Sequence, residues 1–151
     1  MTLRPLLPRI ASFLLLAAWV APAAAAERIP VIYDSDTGDD IDDTWALVMM
    51  LKSPQLDVKL ISTDCHKANA RAKIQAKLLS VAGRTDVPIG LGPGPQGSTR
   101  QDEWTKDFDL KQYPGKVHKD GVQAIIDTIH ASKKPSRWGW RTPLPHESEL
   151  N

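Results

Sequence analysis

An alternation narrows the fold more than any other feature of the chain. Short apolar runs at residues 29–33 (IPVIY), 58–61 (VKLI) and 87–91 (VPIGL) are separated by stretches whose apolar residues recur at helical spacing. After the first run, Ala46, Leu47, Met50 and Leu51 form one stripe of a helix that starts near Asp42 and is bounded by Pro54. After the second, residues 71–82 put Ile74, Leu78, Val81 and Ala82 on one face, and Gly83 is a natural stop. The third run, weakened by Pro88, leads into a loop rich in Gly, Pro and polar residues over 92–115. A helix over 120–131 follows, with Val122, Ile125, Ile126 and Ile129 expected inward. Strand–helix repeated three times predicts an α/β fold of parallel βαβ units with right-handed crossovers. Ligands in such sheets bind beyond the carboxyl ends of the strands. The residues after Tyr33, Ile61 and Leu91 are therefore the ones to examine.

The first 26 residues stand apart from this pattern. Arg4 and Arg9 give a positive start, residues 10–20 (IASFLLLAAWV) an apolar run, and residues 21–26 (APAAAA) a small-residue cleavage site. A membrane span takes roughly 20 apolar residues, so this run is too short for one. Residues 1–26 are expected to be a secretory signal cut after Ala26, with export to the periplasm or beyond and no membrane attachment afterwards. Of 19 Lys+Arg against 18 Asp+Glu, two are the Arg of that segment, so the mature chain is nearly neutral. That removes any charge argument for nucleic acid as a partner. The single cysteine, Cys65, excludes an internal disulfide and is expected to be a buried, inert thiol.

Six of the ten residues 34–43 (DSDTGDDIDD) are Asp. Like charges this close raise one another's pKa unless a cation neutralises them. Oxygen-only donors suit a hard cation, Ca²⁺ or Mg²⁺. A solvated acidic loop, with Asp42 or Asp43 capping the next helix, needs no function at all. The position of the run at the end of an apolar strand favours a metal or sugar-hydroxyl site. An EF-hand loop counted from Asp34 would need Gly and Glu where Asp39 and Trp45 stand. Asp40-Ile41-Asp42-Asp43-Thr44 also spells the DxDxT signature of a phosphatase, which needs its first Asp directly at a strand end.

The stretch 31–47 (VIYDSDTGDDIDDTWAL) resembles the N-terminal signature D-x-D-x-G-x-D-D-A-x-A-L of the inosine–uridine-preferring nucleoside hydrolase family. Thr37 replaces a frequent Pro, and two extra residues stand between Gly38 and the closing Asp pair, a longer form similar to that of some members. Residues 53–58 (SPQLDV), 82–89 (AGRTDVPI) and 117–121 (VHKDG) look like the family's S-P-E-L-x-V, A-G-R-x-D-V-P-V and H-x-x-D-G elements. The resemblance covers residues 29–135, roughly the first third of a full-length member. It implies a Rossmann-like N-terminal part of the nucleoside hydrolase fold, with an incomplete sheet.

The resemblance further implies hydrolysis of the N-glycosidic bond of a small-molecule ribonucleoside, with Ca²⁺ ahead of Mg²⁺ as the metal. In the family, Ca²⁺ binds the ribose 2′- and 3′-hydroxyls, and an Asp deprotonates the attacking water. Carried over by position, Asp36 is metal ligand and general base, Asp43 the second ligand, and Asp42 a ribose contact. The insertion makes Asp39 a substrate-binding candidate and Asp40 a substitute ligand, while Asp34 is expected to fix the loop through backbone N–H groups. The family's Gly-Asn pair after strand two is replaced by residues 63–69 (TDCHKAN). Lys67 stands where Asn is expected, with Asn69 as a substrate-binding candidate two residues on. Lys67 either pairs with the Asp cluster, competing with a metal, or is solvated at a helix start, the reading preferred here. His66 and His118 read as surface or capping residues, and Trp104 as a sugar cover or a loop anchor.

Residues 136–151 (SRWGWRTPLPHESELN) offer no further apolar strand and read as out-of-frame translation or an early end after a domain spanning 27–135. Three strands with an uncovered edge then predict self-association. A weakly active or inactive hydrolase form is one expectation. A non-catalytic Ca²⁺- or sugar-binding module is the second, and a DxDxT-type phosphatase the third.

Overall fold

The structure, a computed structural model, describes residues 27–132. The expected signal segment, the residue-135 boundary and the 136–151 tail lie outside the described residues. The elements run β1 (Ile29–Ser35), α1 (Asp42–Lys52), β2 (Leu56–Thr63), α2 (Ala68–Val81), β3 (Ile89–Gly90), β4 (Val117–His118) and α3 (Gly121–Ala131). Two 3₁₀ turns, Asp102–Thr105 and Leu110–Gln112, lie inside the long loop after β3. The sheet is parallel, in the order β1-β2-β3-β4, as the alternation predicts, with one strand more than the three expected from sequence.

β4 escapes a reading by pattern because its only apolar residue, Val117, is flanked by Lys116 and His118 and forms no run. β3 is shorter than the 87–91 run because Pro88 has no N–H to give a ladder. Its neighbours still alternate partners. Pro88 O accepts from Ile61 N at 3.0 Å, and Leu91 N donates to His118 O at 2.9 Å. α3 packs on β2 and β3 at a glycine contact, since a Cβ on Gly90 would lie 2.9 Å from Gly121 Cα. That close approach turns Ala124 inward and leaves Val122 and Ile126 53% and 40% exposed, contrary to the expected stripe.

The core joins Leu47, Val58, Ile61, Leu79, Val87 and Ile89. α2 starts at Ala68, three residues before the expected start, and is covered on two sides, by the sheet and by the 3₁₀ turns. This double cover buries Arg71, Ala72, Gln75 and Ala76 as well as Ile74 and Leu78. Val81 is 78% exposed and Ala82 is exposed too, so neither belongs to the buried face. Gly83 ends the helix in the left-handed region at φ +66.

Candidate functional site

Three loops meet at the carboxyl ends of the strands: residues 36–41 after β1, 64–67 after β2 and 91–101 after β3. Glycines let them meet. A Cβ on Gly92 would run into the carbonyl oxygens of Thr63 and Asp64. Gly38, at φ +117, lies where a Cβ would come 2.7 Å from Ile74 Cδ1. Hydrogen bonds then lace the loops together. Asp64 N donates to Ser35 O at 3.0 Å, Gln101 N to Gly38 O at 3.1 Å, and Gly92 N to the Thr63 hydroxyl at 2.8 Å. Thr44 donates to Gln101 Oε1 at 3.0 Å, and Gln101 Nε2 to Asp40 O at 2.9 Å. Buried Thr37, where a Pro is frequent in the resembling signature, shares a 2.5 Å hydroxyl contact with Ser35.

The middle loop is strained. His66 and Lys67 are consecutive non-glycine residues at positive φ, 66 and 53. Their N–H groups donate to Pro93 O at 2.8 Å and Pro95 O at 2.7 Å, which fixes the turn. Lys67 is thereby aimed back at the first loop, and its Nζ stands 3.1 and 3.2 Å from the two Asp39 carboxylate oxygens. Lys67 is thus both the residue at the helix start and a partner of the Asp cluster. The preferred solvated reading is corrected, because the turn at 66–67 points the side chain inward.

The six Asp do not form one site. The hydrogen bond from Lys67 holds the Asp39 carboxyl below its usual range, with Arg71 and Arg100 adding to the effect. Arg71 Nη2 donates to Asp39 Oδ2 at 3.3 Å. Asp40 is exposed and pairs with exposed Arg100 at 3.2 Å. Asp36 and Asp43 face each other. Burial, a side-chain hydrogen bond to Asp36 and the charges of Asp36 and Asp42 push the Asp43 carboxyl up. Tyr33 braces that residue, its hydroxyl donating to Asp43 O at 2.8 Å and reaching Asp43 Oδ1 at 3.3 Å. Burial, helped by the nearby Asp43, pushes Tyr33 up to about 12, so it stays a donor. Asp34 is the penultimate β1 residue. Burial raises its carboxyl, and the Ser62 hydroxyl beside it offsets part of that rise.

Asp42 and Asp43 open α1, where negative charge suits the helix dipole, but neither caps it, since Ile41 holds that position without a side-chain bond. Asn69 N donates to Gln96 Oε1 at 3.1 Å, and Asn69 lines a separate cavity of about 890 Å³ beside Lys73, Phe108 and Lys119. Trp104 anchors its loop to α2, with the Lys77 ammonium 5.0 Å from its ring centroid. His66 is exposed and His118 half-buried in β4, with burial and Lys116 lowering its pKa. Cys65 is exposed rather than buried, because it lies in the loop beyond β2. Desolvation and the Asp64 carboxylate push its thiol up. The DxDxT reading needs Asp40 at a strand end, whereas β1 ends at Ser35.

A metal can be weighed against these donors. Among the described residues no group of three or more His, Cys, Asp or Glu stands together in a metal-binding arrangement. Asp36 and Asp43 are hard oxygen donors that repel each other, which fits a hard divalent cation. Sequence reasoning missed Arg71, Gln101 and Tyr33. Arg71 interrupts an apolar helical pattern, and its link to Asp39 exists only after folding.

The family model for inosine-uridine preferring nucleoside hydrolase matches residues 31–138. The chain is 34% identical over 65 residues to a pyrimidine-specific ribonucleoside hydrolase of Photobacterium profundum, covering 42% of this chain and 20% of that protein. A protein of the same description from Citrobacter koseri is 35% identical over 66 residues, with 42% and 20% covered. One from Escherichia coli O1:K1 is 33% identical over 66 residues, with 42% and 21% covered. The chain thus spans about 20% of the length of these curated relatives. No solved structure matches it.

Proposed function

The chain belongs to the inosine-uridine preferring nucleoside hydrolase family, and from that premise we propose that it binds a ribonucleoside at the Asp36–Asp43 pair and hydrolyses its N-glycosidic bond. The observation that carries this reading is the hydrogen-bonded closeness of the Asp43 carboxyl, in the first turn of α1, to Asp36 in the loop after β1. Asp36 is the general base, taking a proton from water as that water attacks the anomeric carbon and the nucleobase leaves with the electron pair of the N-glycosidic bond, to be protonated from solvent. The carboxylates also stabilise positive charge developing on the sugar ring. Exposed Asp42, next to Asp43 at the start of α1, accepts a hydrogen bond from a ribose hydroxyl. Asp36 and Asp43 would hold a Ca²⁺ ion, which orders a cis-diol and lowers the pKa of bound water.

Among the described residues these two carboxylates supply only part of the roughly six to eight oxygens Ca²⁺ takes, so turnover is expected to be weak. The similarity to pyrimidine-specific ribonucleoside hydrolases makes a pyrimidine ribonucleoside the first substrate to try. Residues 1–26, with their positive start and short apolar run, support export. Among the described residues no helix is long and apolar enough to cross a membrane.

A second reading, Ca²⁺ or sugar binding without turnover, draws its lack of turnover from Lys67 beside Asp39 and Arg71 near Asp36, cations that compete with a metal and draw charge from the base. The test is uracil release from uridine in Ca²⁺, for the full chain and for Asp36→Ala. Release lost in the variant supports hydrolysis. Ribose and Ca²⁺ binding with no release supports the second reading, and neither binding nor release defeats both.

A further inference from the structure

Among the described residues Arg71 is the only charged side chain that is buried, with 5% of its surface exposed. A buried cation is stable only if its donors find partners. Nε donates to His66 O at 3.1 Å, tying the guanidinium to the strained turn after β2. Nη2 reaches Asp39 Oδ2 at 3.3 Å. Nη1 has no hydrogen-bond partner and stands 3.7 Å from Asp36 Oδ2. One planar group therefore addresses both sides of Gly38 in the Asp loop, from a helix covered by sheet and 3₁₀ turns. Lys67, its side chain laid against Gly97, supplies a second cation to Asp39.

We propose that Arg71 is a positioning residue that supplies the internal counter-charge of the Asp loop, folding residues 36–41 without a metal and holding Asp36 beside Asp43. Its first part stands on the Asp39 pairing alone; the second rests on the reading of Asp36 and Asp43 as the functional pair. The insertion then meets internal cations, Lys67 and Arg71 for Asp39 and Arg100 for Asp40, while Asp36, with only the longer 3.7 Å approach of Arg71, and Asp43 are left to an external one.

The test is hydrogen exchange by mass spectrometry on the full chain, in EDTA and in Ca²⁺. In the wild type, peptides covering 36–41 should already be protected in EDTA, with Ca²⁺ adding only a smaller further protection. Arg71→Met should speed their exchange in EDTA about tenfold or more, the scale of a lost charged hydrogen bond, while β2 stays protected. Ca²⁺ should restore part of that protection, Arg71→Lys should be intermediate, and adding Asp39→Asn to Arg71→Met should slow exchange again. A wild-type loop protected only in Ca²⁺ overturns the proposal, as does an Arg71→Met loop that exchanges like wild type. If Arg71→Met does not fold, Lys67→Met reads the same effect at smaller scale, and an unchanged loop there overturns it. A chain that shows the Arg71–Asp39 coupling but neither binds Ca²⁺ nor cleaves uridine defeats the functional reading and leaves the loop's counter-charge standing.

Discussion

Asp39 and Asp43 stand close together in sequence and carry the same charge, yet the fold gives them opposite surroundings. Asp39 receives Lys67 and Arg71, and its carboxyl is held low by them. Asp43 receives burial and the like charge of Asp36, and its carboxyl is pushed up. An acidic run read as one cluster is thus two populations, one satisfied from within and one short of positive charge. The proposed function assigns an external cation to the second.

The largest effect that would break this contrast comes from Arg71. Arg71→Met should destabilise the chain by about 2–3 kcal/mol, somewhat less than a fully buried broken pair because solvent reaches Asp39. Urea unfolding checks it, and a loss no greater than that of an exposed pair would remove the contrast. Next in size is Gly38→Ala, which strains a φ of +117 and presses on Ile74. It should cost about 1–2 kcal/mol and loosen the loop for both Asp populations alike, as proteolysis at 36–41 would report.

Exchanging single carboxylates sharpens the contrast further. Asp39→Asn should lower the melting temperature, whereas Asp43→Asn, which relieves repulsion with Asp36, should leave it unchanged or raise it, a difference of about 1 kcal/mol. Equal shifts in the same direction would contradict the assignment of the two environments.

The smallest effect lies outside the site. Asp86 is held low chiefly by its hydrogen bond from Arg84, with Oδ1 2.9 Å from Nε. A depressed carboxyl adds stability above its unfolded value of 3.8, and this is lost as pH falls through the folded value. Asp86→Asn should therefore flatten the acid side of the stability profile below pH 3.8 by a small amount, since the carboxylate is 64% exposed. An identical acid limb in wild type and variant would show that the pair contributes nothing.

What the sequence made legible follows from what periodicity can encode. β1, β2 and α1 announce themselves through apolar runs and a helical stripe, and Leu47 is indeed fully buried. β4 has one apolar residue and is made a strand by Leu91 N and Ile89 N reaching across to it. α3 faces otherwise than its stripe predicts because a glycine contact, not the bulk of Val122 and Ile126, decides which side meets the sheet. α2 hides Arg71 and Gln75 under a loop whose course no local pattern fixes. In the candidate site, the Asp run marked the loop that the fold places at the carboxyl end of β1, since six carboxylates after a strand are visible in the sequence. Their division was not visible, because the pairing of residue 39 with residues 67 and 71 is a tertiary event. The strained turn at His66 and Lys67 is equally silent in sequence, as neither residue is glycine.

Calorimetric titration of Ca²⁺ into the wild type, Asp43→Asn and Asp39→Asn forms of the full chain tests the central claim most directly. The account predicts that the wild type binds, that Asp43→Asn loses at least about tenfold in affinity, a change of about 1.4 kcal/mol, and that Asp39→Asn binds nearly as well as wild type. Binding that survives in Asp43→Asn and disappears in Asp39→Asn would contradict it, as would a wild-type chain that takes up no Ca²⁺ at all.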